Sequence, residues 1–117
     1  MRKRIFLTFS LFVVVFLSGF SVSANAAFVT LTGAITDSVT GNPVTGVLVT
    51  AYPTITCGSW TGTAALTNIT GHYSMSVPDD CNFYIYPTRK NYTFYPVYYY
   101  VTPSSVNNEF NFIGIQE

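Results

Sequence analysis

The sequence predicts an all-β domain, a seven-stranded β-sandwich, preceded by a signal peptide. Thr, Val, Tyr and Phe, which suit a pleated and half-buried strand, are frequent after residue 26. In that part no segment places apolar residues at the spacing of a helix. Gly and Pro recur there every 8 to 12 residues or so, as turns do between the strands of a sandwich or barrel.

Residues 1–26 have the organisation of a secretory signal peptide. The basic start Met1–Arg4 is followed by the apolar run Ile5–Phe20, and Ala24-Asn-Ala26 has small residues at the two positions that a signal peptidase reads. We therefore expect Sec-type export with cleavage near Ala26-Ala27 and a secreted or periplasmic protein. The apolar run is short for a membrane span, so we expect no membrane association after cleavage.

The exported part, residues 27–117, is large enough for one small domain. It keeps Arg89 and Lys90 as its bases and has five acidic residues, so its net charge is −3. Two adjacent cations cannot neutralise a row of phosphates, which excludes nucleic acid as a partner.

Three strands are predicted in the first half of this domain. The first, Phe28–Thr36, alternates apolar and polar residues, and the turn residues Asp37–Pro43 end it. The second is Val44–Tyr52, the loop Pro53–Gly62 follows it, and the third is Thr63–Thr67.

Four strands are predicted in the second half. The fourth is His72–Val77, with Tyr73, Met75 and Val77 inward, and the fifth is Phe83–Pro87, after the turn Pro78–Asn82. The sixth lies within Tyr92–Val101 and is broken or bulged at Pro96, which cannot donate to a sheet ladder. The seventh, Asn107–Ile113, closes the domain with two inward aromatic residues, Phe110 and Phe112.

Both cysteines, Cys57 and Cys81, belong to the exported part. An even number of cysteines in an oxidising compartment predicts one disulfide between them, with two reduced and buried thiols as the alternative. Closing a loop of about 25 residues would stabilise the fold by roughly 3 kcal/mol.

Four short segments at turns and strand starts are similar to those of a known protein family. The segments are Thr32-Gly-Ala-Ile-Thr-Asp37, Thr40-Gly-Asn-Pro-Val44, Gly71-His-Tyr73 and Asn91-Tyr-Thr-Phe94-Tyr-Pro96. They resemble the carboxypeptidase regulatory-like domain, a transthyretin-like (prealbumin-type) β-sandwich similar to Cna B-type adhesin repeats and starch-binding-like folds. The resemblance covers Val29–Ile113 and implies a seven-stranded transthyretin-like sandwich. In metallocarboxypeptidases this domain accompanies a separate zinc catalytic domain, and we expect no such catalytic domain within these 117 residues.

Residues suited to catalysis are scarce. His72 is the only histidine, whereas zinc hydrolysis needs two or three His, Glu or Cys ligands around an open position. Asp79, Asp80 and Asn82 could offer oxygen atoms to Ca²⁺, but no second oxygen-rich segment has metal-loop spacing, which favours a solvated turn. We therefore expect no enzyme activity, metal or cofactor.

Aromatic residues supply the candidate binding site. Trp60 lies in a long loop, and Tyr98–Tyr100 are consecutive, so strand alternation must expose at least one of these three. If Val101 points inward, Tyr98 and Tyr100 are exposed; the opposite register exposes Tyr99. The candidate ligand-facing residues are Trp60, Tyr98 and Tyr100, because exposed aromatic rings bind sugars and proteins alike.

The expected function is that of an exported, non-catalytic structural or protein-interaction module, at the cell envelope or outside the cell. One alternative is a minimal carbohydrate-binding module, whose partner would be a polysaccharide. The other is a self-assembling surface-filament subunit, because low charge and open sheet edges permit edge-to-edge addition.

Overall fold

The structure, a computed structural model, describes residues 27–54, 57–103 and 108–117. The predicted signal peptide, residues 1–26, lies outside the described residues. The strands are, in chain order, β1 (Phe28–Asp37), β2 (Leu48–Pro53), β3 (Thr63–Leu66), β4 (His72–Pro78), β5 (Phe83–Thr88), β6 (Tyr92–Tyr95), β7 (Tyr99–Val101) and β8 (Phe112–Gln116). Within the described ranges no helix has the length and hydropathy needed to cross a membrane.

The strands form two four-stranded sheets that pack as a β-sandwich, which confirms the prediction of an all-β sandwich. The first sheet has the order β4-β1-β8-β6, and the second has the order β3-β2-β5-β7. Strands β1 and β8 run parallel, and the other pairs are antiparallel. The long register of β1 with β4, from Phe28 opposite Pro78 to Ala34 opposite His72, anchors the first sheet.

The core consists of the inward side chains of both sheets. Alternation along β5 buries Phe83 and Ile85 and leaves Tyr84 and Tyr86 on the outside. The largest fully buried side chains are Leu31, Ile35, Val47, Val49, Val77, Phe83, Ile85, Val101 and Phe112. Because these residues come from both sheets, burial of their apolar surface holds the sheets together.

The buried hydroxyl of Thr67 fixes the segment that leads into β2. Its Oγ1 accepts a hydrogen bond from the Val47 N–H at 2.9 Å and donates one to the Val44 carbonyl at 2.7 Å. Val44 itself bonds to the Ile35 carbonyl, and Gly46 has a positive φ of 75°. The second strand therefore begins at Leu48, after this bend, rather than at Val44 as predicted.

The sequence predicts seven strands, whereas eight are present in the described part of the chain. The predicted sixth strand is divided at Pro96, and its two halves belong to different sheets: β6 pairs with β8, and β7 pairs with β5. Proline has no amide hydrogen to give to a ladder, so the chain leaves one sheet here and joins the other.

The last strand begins later than predicted, at Phe112 instead of Asn107. Asn107 lies outside the described residues. The side-chain oxygen of Asn111 accepts a hydrogen bond from the Ala34 N–H at 2.8 Å. At this point a backbone donor of β1 therefore bonds to a side chain rather than to the backbone of the last strand. The regular β1–β8 pairing therefore starts only with Ile35 opposite Phe112.

Candidate functional site

Five exposed tyrosines share the outer surface of the second sheet, and we call this surface the tyrosine face. Its members are Tyr52 of β2, Tyr84 and Tyr86 of β5, Tyr98 and Tyr100. Strand alternation explains their exposure, because the neighbours of Tyr84, Phe83 and Ile85, are fully buried.

The strand register brings these rings together. Tyr84 lies opposite Tyr52 on one side and opposite Tyr100 on the other, so the three tyrosines form a row across β2, β5 and β7. The Tyr84 ring is 5.1 Å from the Tyr98 ring and 5.2 Å from the Tyr100 ring, with interplanar angles of 85° and 64°. Edge-to-face packing of this kind restricts the rings before any partner binds.

A groove of about 600 Å³ runs along the tyrosine face. Its lining residues are Tyr52, Tyr84, Tyr86, Pro87, Thr88, Val97 and Tyr98. The polar groups of this lining are the tyrosine hydroxyls and Thr88, whose hydroxyl donates to the Leu48 carbonyl at 3.4 Å. The groove is therefore apolar along its walls, with hydroxyl groups as its hydrogen-bonding groups.

The groove lining contains no charged residue. Arg89, which follows the groove residue Thr88 in the chain, lies over the Tyr92 ring at 5.1 Å and lines a neighbouring cavity. Asp79 and Asp80 lie in the turn between β4 and β5. A partner of the tyrosine face therefore meets apolar and hydroxyl groups rather than charges.

Two of the three candidate residues, Tyr98 and Tyr100, lie on the tyrosine face. Their exposed fractions are 54% and 52%, and Val101 is buried. Of the two registers considered from the sequence, the strand therefore has the one in which Val101 points inward. Tyr99 points the other way: its ring is 5.1 Å from Phe112, and its hydroxyl donates to the Asn111 carbonyl at 2.8 Å.

The third candidate, Trp60, lies elsewhere. Its half-buried ring packs on Phe83, with centroids 5.4 Å apart at 65°. It lines a separate cavity of about 400 Å³ beside Cys57, and Tyr52 is the residue that this cavity shares with the groove. Trp60 therefore covers the end of the core and borders the tyrosine face only through Tyr52.

The sequence interpretation missed Tyr52, Tyr84 and Tyr86. The signal for the last two is present in Phe83-Tyr-Ile-Tyr86, where every second residue carries a hydroxyl. Tyrosine suits a core as well as a surface, so this alternation is weaker than one between apolar and charged residues.

The predicted disulfide is confirmed: Cys57 and Cys81 are bonded, with their Cα atoms 5.6 Å apart. Cys81 is buried, and Cys57 follows β2. The bond therefore ties the connection between β2 and β3 to the turn before β5.

The other candidate residues remain dispersed. His72 is exposed, and its Nδ1 lies 3.0 Å from the Thr70 hydroxyl. Asp79 and Asp80 are exposed in their turn. Over the described ranges, no group of three or more His, Cys, Asp and Glu residues could hold a metal ion.

No family model matches the sequence, and no curated protein matches it.

Proposed function

We propose that this protein is a non-catalytic interaction module, exported to the periplasm or beyond, that binds a partner protein through the tyrosine face. The observation that carries the proposal is a cluster of five exposed tyrosines, four of which line a groove without charged residues. Tyrosine is enriched at protein interfaces and among the residues that contribute most to binding.

The size of the cluster supports an interaction role. The exposed fractions of the five tyrosines add up to about 2.4 whole side chains. At 150–250 Å² for each side chain, the rings present roughly 500 Å² of continuous aromatic surface. The largest apolar patch of a typical monomer is about 300–600 Å² and is often functional.

Export is supported by the order of basic, apolar and small residues in the first 26 positions. The Cys57–Cys81 disulfide is compatible with an oxidising compartment. N-terminal sequencing of exported protein should begin at Ala27. Recovery of intact Met1 in a membrane fraction would refute cleavage.

The resemblance to carboxypeptidase regulatory-like, transthyretin-like domains belongs to the same proposal. Gly71 has a positive φ of 78° at the turn before β4, and Tyr73 is buried in that strand, as the resemblance implies. Such a domain would act as an accessory or interaction unit rather than as a catalyst.

Binding of a neutral polysaccharide is the second candidate function. It is favoured by the tyrosine rings and hydroxyls along the 600 Å³ groove, because sugars stack their apolar faces on aromatic rings. The groove lining has no Asp, Asn, Glu, Gln, Trp or Arg, the planar polar or large aromatic groups that could fix a sugar's orientation. A protein partner therefore ranks first.

The test is affinity capture from the native cell envelope, paired with a screen of neutral polysaccharides. Wild-type protein is compared with Tyr98→Ala and with the matched control Tyr95→Ala, an exposed tyrosine on the first sheet. Tyr98→Ala should weaken binding by about 1–3 kcal/mol, as expected for a residue central to an interface, whereas Tyr95→Ala should not. Equal binding by all three proteins would refute the proposed site.

A further inference from the structure

The apolar surface extends beyond the tyrosines across the whole second sheet. Leu48 of β2 and Leu66 of β3 lie opposite each other, with exposed fractions of 40% and 63%. Val97, beside Tyr98, is 71% exposed. Together with the tyrosine face, these residues place at least one exposed apolar or aromatic side chain on each of the four strands of this sheet.

The area of this surface approaches what a stable dimer needs. The tyrosines alone present roughly 500 Å², and the two leucines and Val97 enlarge this surface. A standard protein interface buries about 800 Å² on each partner. An apolar sheet face of this size can pack against a second sheet face of the same kind.

The positions of the charges also favour a second copy. Charged residues of the described part lie in turns and at strand ends: Arg89 and Lys90 follow β5, and Asp37 ends β1. Although the exported part has a net charge of −3, no charged residue lines the groove that two copies would cover by facing each other through their second sheets. Tyrosine hydroxyls can remain hydrated at the rim or bond across the interface.

We propose that the tyrosine face binds a second copy of this chain and that two second sheets pack face to face in a two-fold symmetric dimer. Packed sheets lie about 10 Å apart, so rings from the two copies would interdigitate. This inference rests on the proposed function, since it names the partner of the same face. A two-fold dimer uses the same surface of each copy, so the assembly cannot grow beyond two copies through this surface.

Addition at sheet edges would give a different assembly. The outer strands of the second sheet, β3 and β7, have only four and three residues. Very short edge strands offer few backbone groups to a further strand. Within the second sheet, the face rather than these edges is therefore the surface that a second copy would cover.

The test is sedimentation equilibrium of the exported protein over roughly a hundredfold range of concentration. Wild-type protein should form a dimer. Tyr100→Lys places a charge from each copy in the interface and should raise the dissociation constant at least about tenfold. The control Tyr95→Lys, at an exposed tyrosine of β6, should leave it within about twofold. If Tyr100→Lys does not fold, Tyr98→Lys is used in its place.

The outcomes separate this inference from the proposed function. A wild-type monomer at every concentration would overturn the dimer; if its tyrosine face still captures an envelope protein or a polysaccharide, the proposed function stands. Equal weakening by Tyr100→Lys and Tyr95→Lys would also overturn the dimer. Species larger than a dimer that persist in Tyr100→Lys would indicate edge addition and would overturn it as well.

Discussion

The hydroxyl of Tyr73 donates to the Phe110 carbonyl at 2.5 Å, and its ring lies over Gly33, its partner in the β1–β4 register. A Cβ atom at Gly33 would fall within 2.5 Å of the Tyr73 ring and against the Phe110 carbonyl oxygen. The glycine therefore makes room for a buried aromatic side chain that links β4 to the segment before β8.

Gly33→Ala should lower the free energy of unfolding by about 1–3 kcal/mol, because the added methyl group overpacks a rigid contact. Chemical denaturation measures the loss. Gly114→Ala is the matched control, since its Cβ would lie 3.1–3.4 Å from the Tyr92 and Phe94 rings. A loss at Gly33 no larger than that at Gly114 would contradict this account.

Alkaline pH should destabilise the protein through Tyr73. Burial raises the pKa of Tyr73 above its ordinary value of 10.0, with smaller contributions from Tyr99 and Glu109. The folded state therefore keeps this proton where the unfolded state has lost it, so stability is intact below pH 10 and falls as the pH rises further. Denaturation curves between pH 8 and about 11 should show a steeper loss for wild type than for Tyr73→Phe.

Acid should weaken the turn after β1. The N–H groups of Thr40 and Val39 bond to Asp37 at 3.0 and 2.8 Å and hold the pKa of this carboxyl below its ordinary value of 3.8. The stabilisation is therefore present above pH 3.8 and is lost as the pH falls through the lower pKa of the folded state. The stability deficit of Asp37→Ala at neutral pH should shrink on acidification. Asp37→Asn, which keeps an acceptor oxygen, should have a smaller deficit.

Replacing both Cys57 and Cys81 by Ser should lower the free energy of unfolding by about 2–4 kcal/mol without changing the fold. The bond closes a loop between residues 24 positions apart, so its removal gives entropy back to the unfolded chain. Circular dichroism checks the fold, and reduced wild-type protein is the control. If reduced wild-type and double-mutant proteins were as stable as the oxidised protein, the bond would have no stabilising role.

Local patterns could predict much of this fold from the sequence. Alternation in β1 and β4 and the turn residues at Asp37 and Gly71 are local signals, and the structure confirms these strands. The division of the sixth strand could not be predicted, because Pro96 indicates an interruption without indicating that the chain changes sheets. The start of the last strand depends on the Asn111–Ala34 hydrogen bond, a contact over 77 positions.

The candidate site was predictable only in part, because it too depends on contacts between residues that are distant in sequence. Strand alternation at Tyr98–Tyr100 is local, and the burial of Val101 selects one of its two registers. The row Tyr52–Tyr84–Tyr100 depends on the pairing of three strands that are distant in sequence. The contact of Trp60 with Phe83 joins residues 23 positions apart, and loop composition does not reveal it.

Alanine substitutions in the tyrosine triplet should separate structure from binding. Tyr99→Ala should lower the free energy of unfolding by about 2–3 kcal/mol, because this half-buried ring contacts Phe110 and Phe112 and its hydroxyl bonds to Asn111. Tyr98→Ala and Tyr100→Ala remove exposed rings and should cost less than about 0.5–1 kcal/mol in dilute protein. Thermal denaturation of the three variants measures the contrast. A large loss for Tyr98→Ala or Tyr100→Ala, with no partner affected, would show that these rings serve the fold rather than a binding surface.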